Sequence, residues 1–541
     1  MNGESRLSRN RHKKTKPVNP GRKKHQNRNG SLKFFLWTII VLACSVSAIH
    51  MLTSIQPVDE GVLNMGALRI SRGQVPYRDF FLFYTPFSFY LLAGVYKLFG
   101  ATLLTGRVLA LILGILYVAL TARLSSRLID SFLFAALPVA VLCQAGFGVW
   151  PFASHHWIAN IFVILAMLCA IKAMEEKTLL WSSLAGLCGA GVFWTLNDEG
   201  TFFIILVAVL YLPLLPKGLR KTSFSGWIIG CSAGSIPFLA VLLTQVKLST
   251  LWYDFFVFPF TGYKATPGNR YGVFFPLKEI AHQWTSGAWR SSPLYTSIAS
   301  ITSLVIYLLP AAAVILIVLS YFKKWDSVPR RGLLAAGALS LIATASRRWG
   351  PINLQWAAVL PSLVVAWGLW HWYQSSKKKK WIPAGIALFL VSAYGLFGLH
   401  SIGKVISGDS MYPVKAAAGT LYTFDKRKAQ ILRETIDQIE SRIPPGQPVL
   451  CKASPLINFM TRHPNPSYID FFRPPGYTTD AQCRNVISDL NMRNTTWILT
   501  PSFVPSDNPF DRFLISNYDL AWNNGEYGLW RRKPPIGDPS D

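Results

Sequence analysis

Apolar runs of about 17 to 25 residues, each long enough to cross hydrocarbon as a helix, recur along this chain almost to residue 400. They lie at 34–52, 105–121, 131–148, 157–173, 180–195, 200–215, 225–245, 294–320, 332–346, 353–371 and 381–399. The 541 residues are 51% hydrophobic and only 15% charged, a composition rare in a soluble enzyme of this size. The expected fold class is a polytopic α-helical membrane protein with about eleven transmembrane helices, the range being 11–13.

Basic segments orient these runs. Residues 1–33 carry 11 Lys or Arg and one Glu, and no small-residue cleavage pattern follows. The first helix is therefore expected to be retained and the tail to stay cytoplasmic. From that start, the basic stretches at 123–127, 217–221, 323–331 and 377–380 all fall in the cytoplasm. The formal charge of +28 is then a topology signal facing anionic membrane lipids, and no nucleic-acid partner is expected. The count requires 81–100, rich in aromatics and containing Pro86, to lie on the outer face as a broken interfacial helix.

Three regions follow: a basic tail, 1–33; a membrane domain, 34–400, with a first external loop at 53–104; and an exterior domain, 401–541. In the last, Ile431, Leu432, Ile436 and Ile439 have helical spacing within 426–443. A strand is expected at 448–454, a helix at 479–491 and a strand at 495–501, which suggests a small α/β domain on the same side as Asp59. Cys44, Cys143, Cys169, Cys188 and Cys231 fall in expected helices as small apolar groups. Cys451 and Cys483 either pair in an oxidising compartment or stay reduced. No Walker loop, dinucleotide loop or metal-ligand cluster stands out.

Chemistry concentrates just beyond the first apolar run, where Asp59 and Glu60 stand side by side. They either cap the following helix or include a carboxylate that takes the proton of an acceptor hydroxyl. Residues 59–100 contain this acidic pair, the segment GQVPYRDF and an aromatic stretch ending at Phe99 and Gly100. They resemble the first external loop of the GT-C membrane glycosyltransferases, and more narrowly the protein mannosyltransferase-like and RgtA/B/C/D-like group (glycosyltransferase family 39-like).

The resemblance implies a GT-C-like membrane fold and an enzyme that transfers a sugar from a polyprenyl-phosphate donor to an external lipid, polysaccharide or protein acceptor. It implies that Asp59 activates the acceptor and that Glu60 orients it or binds a divalent cation such as Mg or Mn; direct displacement of the carrier phosphate would invert the anomeric carbon. The expected location is a bacterial inner or plasma membrane. Relatives often carry His-Pro-Pro where this chain has Tyr84, Thr85 and Pro86, so no histidine role is carried over. A lipid-linked saccharide flippase and a non-catalytic cell-envelope assembly component are the alternative functions.

Other candidates surround this loop. Arg78 and Asp79 either pair with each other or place Arg78 on the donor phosphate. Arg347 and Arg348, expected outside between two helices, either bind that phosphate or snorkel to the interface. His155 and His156 are candidates for sugar or acceptor hydroxyls, or for ordinary interfacial hydrogen bonds. Asp198 and Glu199 either contact substrate or cap a helix, because two acids at the membrane midplane would be costly. Lys264 and Arg270 lie in the long exterior stretch 246–292, which either covers the donor as a lid or faces headgroups.

Overall fold

The computed structural model describes residues 20–56, 58–146, 151–261, 293–346, 351–407, 411–452, 454–474, 478–501 and 507–534. Lys264, Arg270, Arg347 and Arg348 lie outside the described residues.

The membrane domain opens with α1 (Pro20–Thr53), α2 (Asp59–Ser71), α3 (Phe87–Phe99) and α4 (Leu103–Leu128). It continues with α5 (Phe132–Ala145), α6 (His155–Glu176), α7 (Leu179–Thr195), α8 (Asn197–Leu210) and α9 (Lys217–Leu243). The short helices α10 (Leu248–Trp252) and α11 (Phe258–Thr261) flank one π-helical turn, Tyr253–Val257. Then come α12 (Pro293–Lys323), α13 (Val328–Ser346), α14 (Pro351–Ala357), α15 (Val359–Ser375) and α16 (Trp381–Ile406). Among the described residues, seven helices are long and apolar enough to cross a membrane: 34–51, 103–128, 155–176, 197–214, 217–243, 293–323 and 381–406. The chain is an integral multi-pass membrane protein. The other expected runs form α5, α7, α13 and α15, with 14, 17, 19 and 17 residues.

Burial divides these helices. In α5, Ala135, Ala136, Val139, Ala140 and Val141 are wholly buried, so this helix sits inside the bundle. Large apolar side chains instead point outward from α4 (Leu104, Ile112), α9 (Ile236, Val241), α12 (Ile315) and α16 (Phe389), the surface that lipid covers. Where α7 crosses α9, small residues bring the backbones together: a Cβ on Gly230 would meet the Ser183 carbonyl, and one on Gly186 the Trp227 carbonyl. Gly226, Gly230 and Gly234 repeat every four residues along one face of α9, the spacing that allows such close packing in membranes.

The segment 81–100 forms one helix, α3, that starts directly after Pro86. Its 13 residues span about 20 Å at 1.5 Å per residue, short of a hydrocarbon core of about 30 Å.

The C-terminal domain contains a hairpin, β1 (Tyr412–Ala416) and β2 (Gly419–Thr423), then α17 (Lys426–Arg442), β3 (Val449–Cys451) and α18 (Pro455–Thr461). It ends with α19 (Asp480–Met492), β4 (Trp497–Pro501), α20 (Pro509–Asn517), β5 (Tyr518–Asn523) and β6 (Tyr527–Arg532). Strand β3 is shorter than the expected 448–454, because Pro455 opens a helix four residues after its last member. The sheet order is β3-β4-β6-β5, with β3 parallel to β4 and the other pairs antiparallel. Asp425 caps α17 by accepting the Lys428 N–H at 3.0 Å, and Thr479 and Gln482 form a capping box on α19. Strand alternation sends Leu450 and Ile498 to one apolar cluster and Val449, Cys451 and Leu499 to another. Cys483 belongs to the first cluster and Cys451 to the second, and both thiols are free.

The loop region between α1 and α4 joins the two domains. A Cβ on Gly61 would collide with the backbone of Pro455 and Leu456, so α2 lies directly against α18. Arg69 pairs with Asp470 at 2.9 Å and donates to the Ser467 carbonyl at 2.9 Å. The Phe81 N–H donates to the Tyr468 carbonyl, and the Tyr468 hydroxyl to the Tyr77 carbonyl, both at 2.8 Å.

Candidate functional site

Helix α2 begins with two acids in its first turn, where the exposed N–H groups favour negative charge. The two then diverge. Asp59 is exposed, whereas Glu60 is only 2% exposed and points to Arg107 near the start of α4. Arg107 Nε donates to Glu60 Oε1 and Nη2 to Oε2, both at 2.7 Å, a bidentate pair. The same guanidinium donates to the Met51 carbonyl at 2.8 Å and the Ser54 carbonyl at 2.7 Å, so it also ties down the end of α1. Burial pushes the Glu60 carboxyl up from its usual range, and Arg107 opposes that push most strongly.

The sequence pattern did not single out Arg107. Its signal was a lone cation near the start of an apolar run, which in a membrane helix calls for a buried partner.

A second group forms where α6, α8 and α14 meet the loop. Tyr84 packs on His155 with ring centroids 4.2 Å apart, His155 on His156 at 4.4 Å, and His156 on Trp356 at 4.2 Å. The Thr85 hydroxyl donates to the Phe193 carbonyl at 2.6 Å. Asn160 donates through Nδ2 to the Trp356 carbonyl at 2.9 Å and to the Tyr117 hydroxyl at 3.3 Å. Glu199 is wholly buried, neither of its oxygens has a hydrogen-bond partner, and it lies within electrostatic reach of Tyr117. Asp198 is partly buried and accepts the Glu199 N–H at 2.8 Å. His155 Nε2 and Asn160 Oδ1 are also buried without a hydrogen-bond partner.

Arg78 and Asp79 form a surface ion pair with contacts of 2.9 and 2.8 Å, and Asp79 also accepts the Val75 N–H at 2.7 Å. The Arg78 contact holds the Asp79 carboxyl below its ordinary range.

A third buried carboxyl, Asp254, sits in the π-helical turn, a form of helix frequent at functional sites. It is 3% exposed and its Oδ2 has no hydrogen-bond partner. Burial pushes it up to about 7, and its charge reaches Tyr77 and Tyr468. Tyr77 has a left-handed backbone, φ 70°, and donates its hydroxyl to the Tyr84 carbonyl at 2.6 Å. Among the described residues no group of three or more His, Cys, Asp and Glu is placed to hold a metal ion.

No protein-family model matches the chain. No curated protein matches it either. Among solved structures, ArnT from Cupriavidus metallidurans bound to undecaprenyl phosphate is similar with a TM-score of 0.56 at 12% identity, over 94% of this chain and 99% of that one. ArnT from the same organism in the apo state gives 0.47 at 13% identity, over 93% and 98% of the two chains. The archaeal oligosaccharyltransferase AglB from Archaeoglobus fulgidus, in complex with an inhibitory peptide and a dolichol-phosphate, gives 0.46 at 11% identity, over 93% and 75%. The first of these likenesses extends over nearly the whole of both chains, and the chain shares the fold of that ArnT structure.

Proposed function

We propose that this protein transfers a sugar from a polyprenyl-phosphate carrier to an acceptor outside the membrane, with Asp59 as the base. The observation that carries the assignment is the division of labour in the acidic pair: Arg107 binds both Glu60 oxygens, while Asp59 is exposed at the same helix start. Glu60 then anchors α2 and Asp59 meets the acceptor. The Asp59 carboxylate takes the hydroxyl proton as the acceptor oxygen bonds to the anomeric carbon. The bond from that carbon to the carrier phosphate breaks, and the phosphate leaves with the electron pair. Because it leaves as an anion, no second carboxyl is required as acid, and direct displacement inverts the anomeric configuration.

The donor class rests on two supports, the loop resemblance and the undecaprenyl phosphate held by ArnT, whose fold this chain shares. In this reading about eleven helices cross the membrane, the N-terminus is cytoplasmic, and Asp59 and residues 401–541 are exterior, on a bacterial inner membrane. Arg347 and Arg348 receive the donor phosphate, and Glu199 with His155 and His156 faces the sugar or acceptor. Lys264 and Arg270 belong to the covering loop. The group is the protein mannosyltransferase-like and RgtA/B/C/D-like one, and the Asp59 carboxylate alone suffices for the proton transfer.

Purified protein supplied with a radiolabelled polyprenyl-phosphate hexose and cell-envelope acceptors tests this. Asp59→Asn should lower covalent transfer by about 10²–10⁴-fold while the protein stays folded. Equal transfer by both proteins would sink the base role. Movement of label across a vesicle membrane without covalent transfer would favour a flippase.

A further inference from the structure

The far end of the C-terminal sheet carries a feature that the transfer reaction does not use. Arg442 at the end of α17, Thr496 and Trp497 at the start of β4, and Arg531 near the end of β6 converge there. With Pro444 and Gln447 they line an open cleft of about 500 Å³. That volume lies within the range of small-ligand sites. The turn between α17 and β3 forms one wall, and Gly446, at φ 81°, adopts the left-handed backbone that lets it fold back.

The lining is cationic and polar. Arg531 stands directly across from Trp497 in the antiparallel register, with its guanidinium 6.0 Å from the indole. Trp497 is only 8% exposed, so it supports the arginine from below. Arg442 commits Nη1 to the Ala521 carbonyl at 3.1 Å, which fixes the side chain and leaves other donors on the same planar group. Gln447 donates to the Thr496 hydroxyl at 3.3 Å. The acid nearest in register is Asp519, across from Arg531 on the strand opposite Trp497, and its carboxylate lies 3.9 Å from Lys533.

Two guanidinium groups held by a ring and a carbonyl, around an open cleft with no acid in its lining, suit a carboxylate or phosphate oxygen better than a neutral hydroxyl. We propose that this cleft binds an anionic group on the saccharide acceptor and tethers it to the C-terminal domain while a different part of that acceptor reacts. The proposal rests on the transfer reading above and names the class of acceptor: an acidic saccharide, bearing either uronate or phosphate ester.

Full-length protein in detergent should be titrated with fluorescein-labelled tetragalacturonate, a labelled phosphorylated maltotetraose, and neutral labelled maltotetraose, using fluorescence polarisation. One acidic probe should bind at least about tenfold more tightly than the neutral one, and its affinity should fall with salt. Which acidic probe binds decides between carboxylate and phosphate. Arg442→Gln/Arg531→Gln should lose that preference with an unchanged melting profile, while Asp59→Asn keeps it. In transfer assays the double variant should raise KM for an acidic acceptor by about tenfold or more and leave kcat near wild type. Equal binding of acidic and neutral probes, or an undiminished preference in the double variant, would overturn the cleft. Binding that persists alongside absent transfer in wild type would instead overturn the transfer reading.

Discussion

Two Asp-Glu-Gly tripeptides, 59–61 and 198–200, each lie in the first turn of a helix, and they reach opposite electrostatic states. In both, the first acid is at least partly accessible, the second is buried, and the glycine lies against another backbone: Gly61 on Pro455 and Leu456, Gly200 on Phe193. Glu60 meets a guanidinium in fork geometry, whereas Glu199 has no hydrogen-bond partner on either oxygen. The same local sequence therefore yields an anchor in one place and a destabilising group in the other. A buried carboxyl without a partner is kept at a cost, and such costs gather where a protein binds or reacts.

Removing one half of the paired case should have the largest effect. Arg107→Ala leaves Glu60 buried beside two unsatisfied backbone carbonyls, and breaking such a pair costs about 3–5 kcal/mol. Thermal unfolding in detergent should show the loss, and Glu60→Gln in the Arg107→Ala background should recover part of it. An Arg107→Ala protein as stable as wild type would mean that the pair does not hold α2.

The unpaired case should respond with the opposite sign. Glu199→Leu removes two unpartnered oxygens, and the protein should become more stable by about 1–3 kcal/mol. If Glu199 faces substrate as proposed, transfer should fall in the same variant, a trade of activity against stability. Stability gained without loss of transfer would leave Glu199 outside the reaction.

How far this contrast could be read from the sequence depends on distance along the chain. The helices α17 and α19, expected at 426–443 and 479–491, and the burial of Leu432, Ile436 and Ile439 were legible because helical spacing is local, although Ile431 of the same pattern is only partly buried and the helix expected over 81–100 starts only after Pro86. The Glu60–Arg107 pair was not, because its members are 47 residues apart and any of several cations could serve. Nor could the spacing of Cys451 and Cys483 show that they occupy different apolar clusters, since that depends on how α19 packs on the sheet. Asp254 escaped notice as one acid among aromatics; Tyr77 and Tyr468, the groups its charge reaches, are both remote from it in sequence.

Asp254 extends the unpaired case to a group outside the long spanning helices, where titration can be followed. Its folded value is about 7 against an ordinary 3.8, so between those values the folded chain holds a proton that the unfolded chain has lost. Stability should therefore fall as pH rises through that window, by at most about 1.4 kcal/mol per pH unit. Asp254→Asn should flatten this part of the profile in melting measurements taken across it. An unchanged slope in the variant would assign the pH dependence to another group.

The surface pair Arg78–Asp79 should have the smallest effect, because its side chains are 49% and 29% exposed and water competes for both. Arg78→Ala should leave the melting temperature nearly unchanged, and added salt should erase any shift that remains. Asp79→Ala should shift it more, because Asp79 also accepts the Val75 N–H and so holds the loop without its arginine. Transfer kinetics then separate the two roles considered for Arg78. A raised KM for the polyprenyl-phosphate donor in Arg78→Ala, with stability unmoved, would place its guanidinium on the phosphate; unchanged KM would leave the pair as a brace for the loop that carries Asp59.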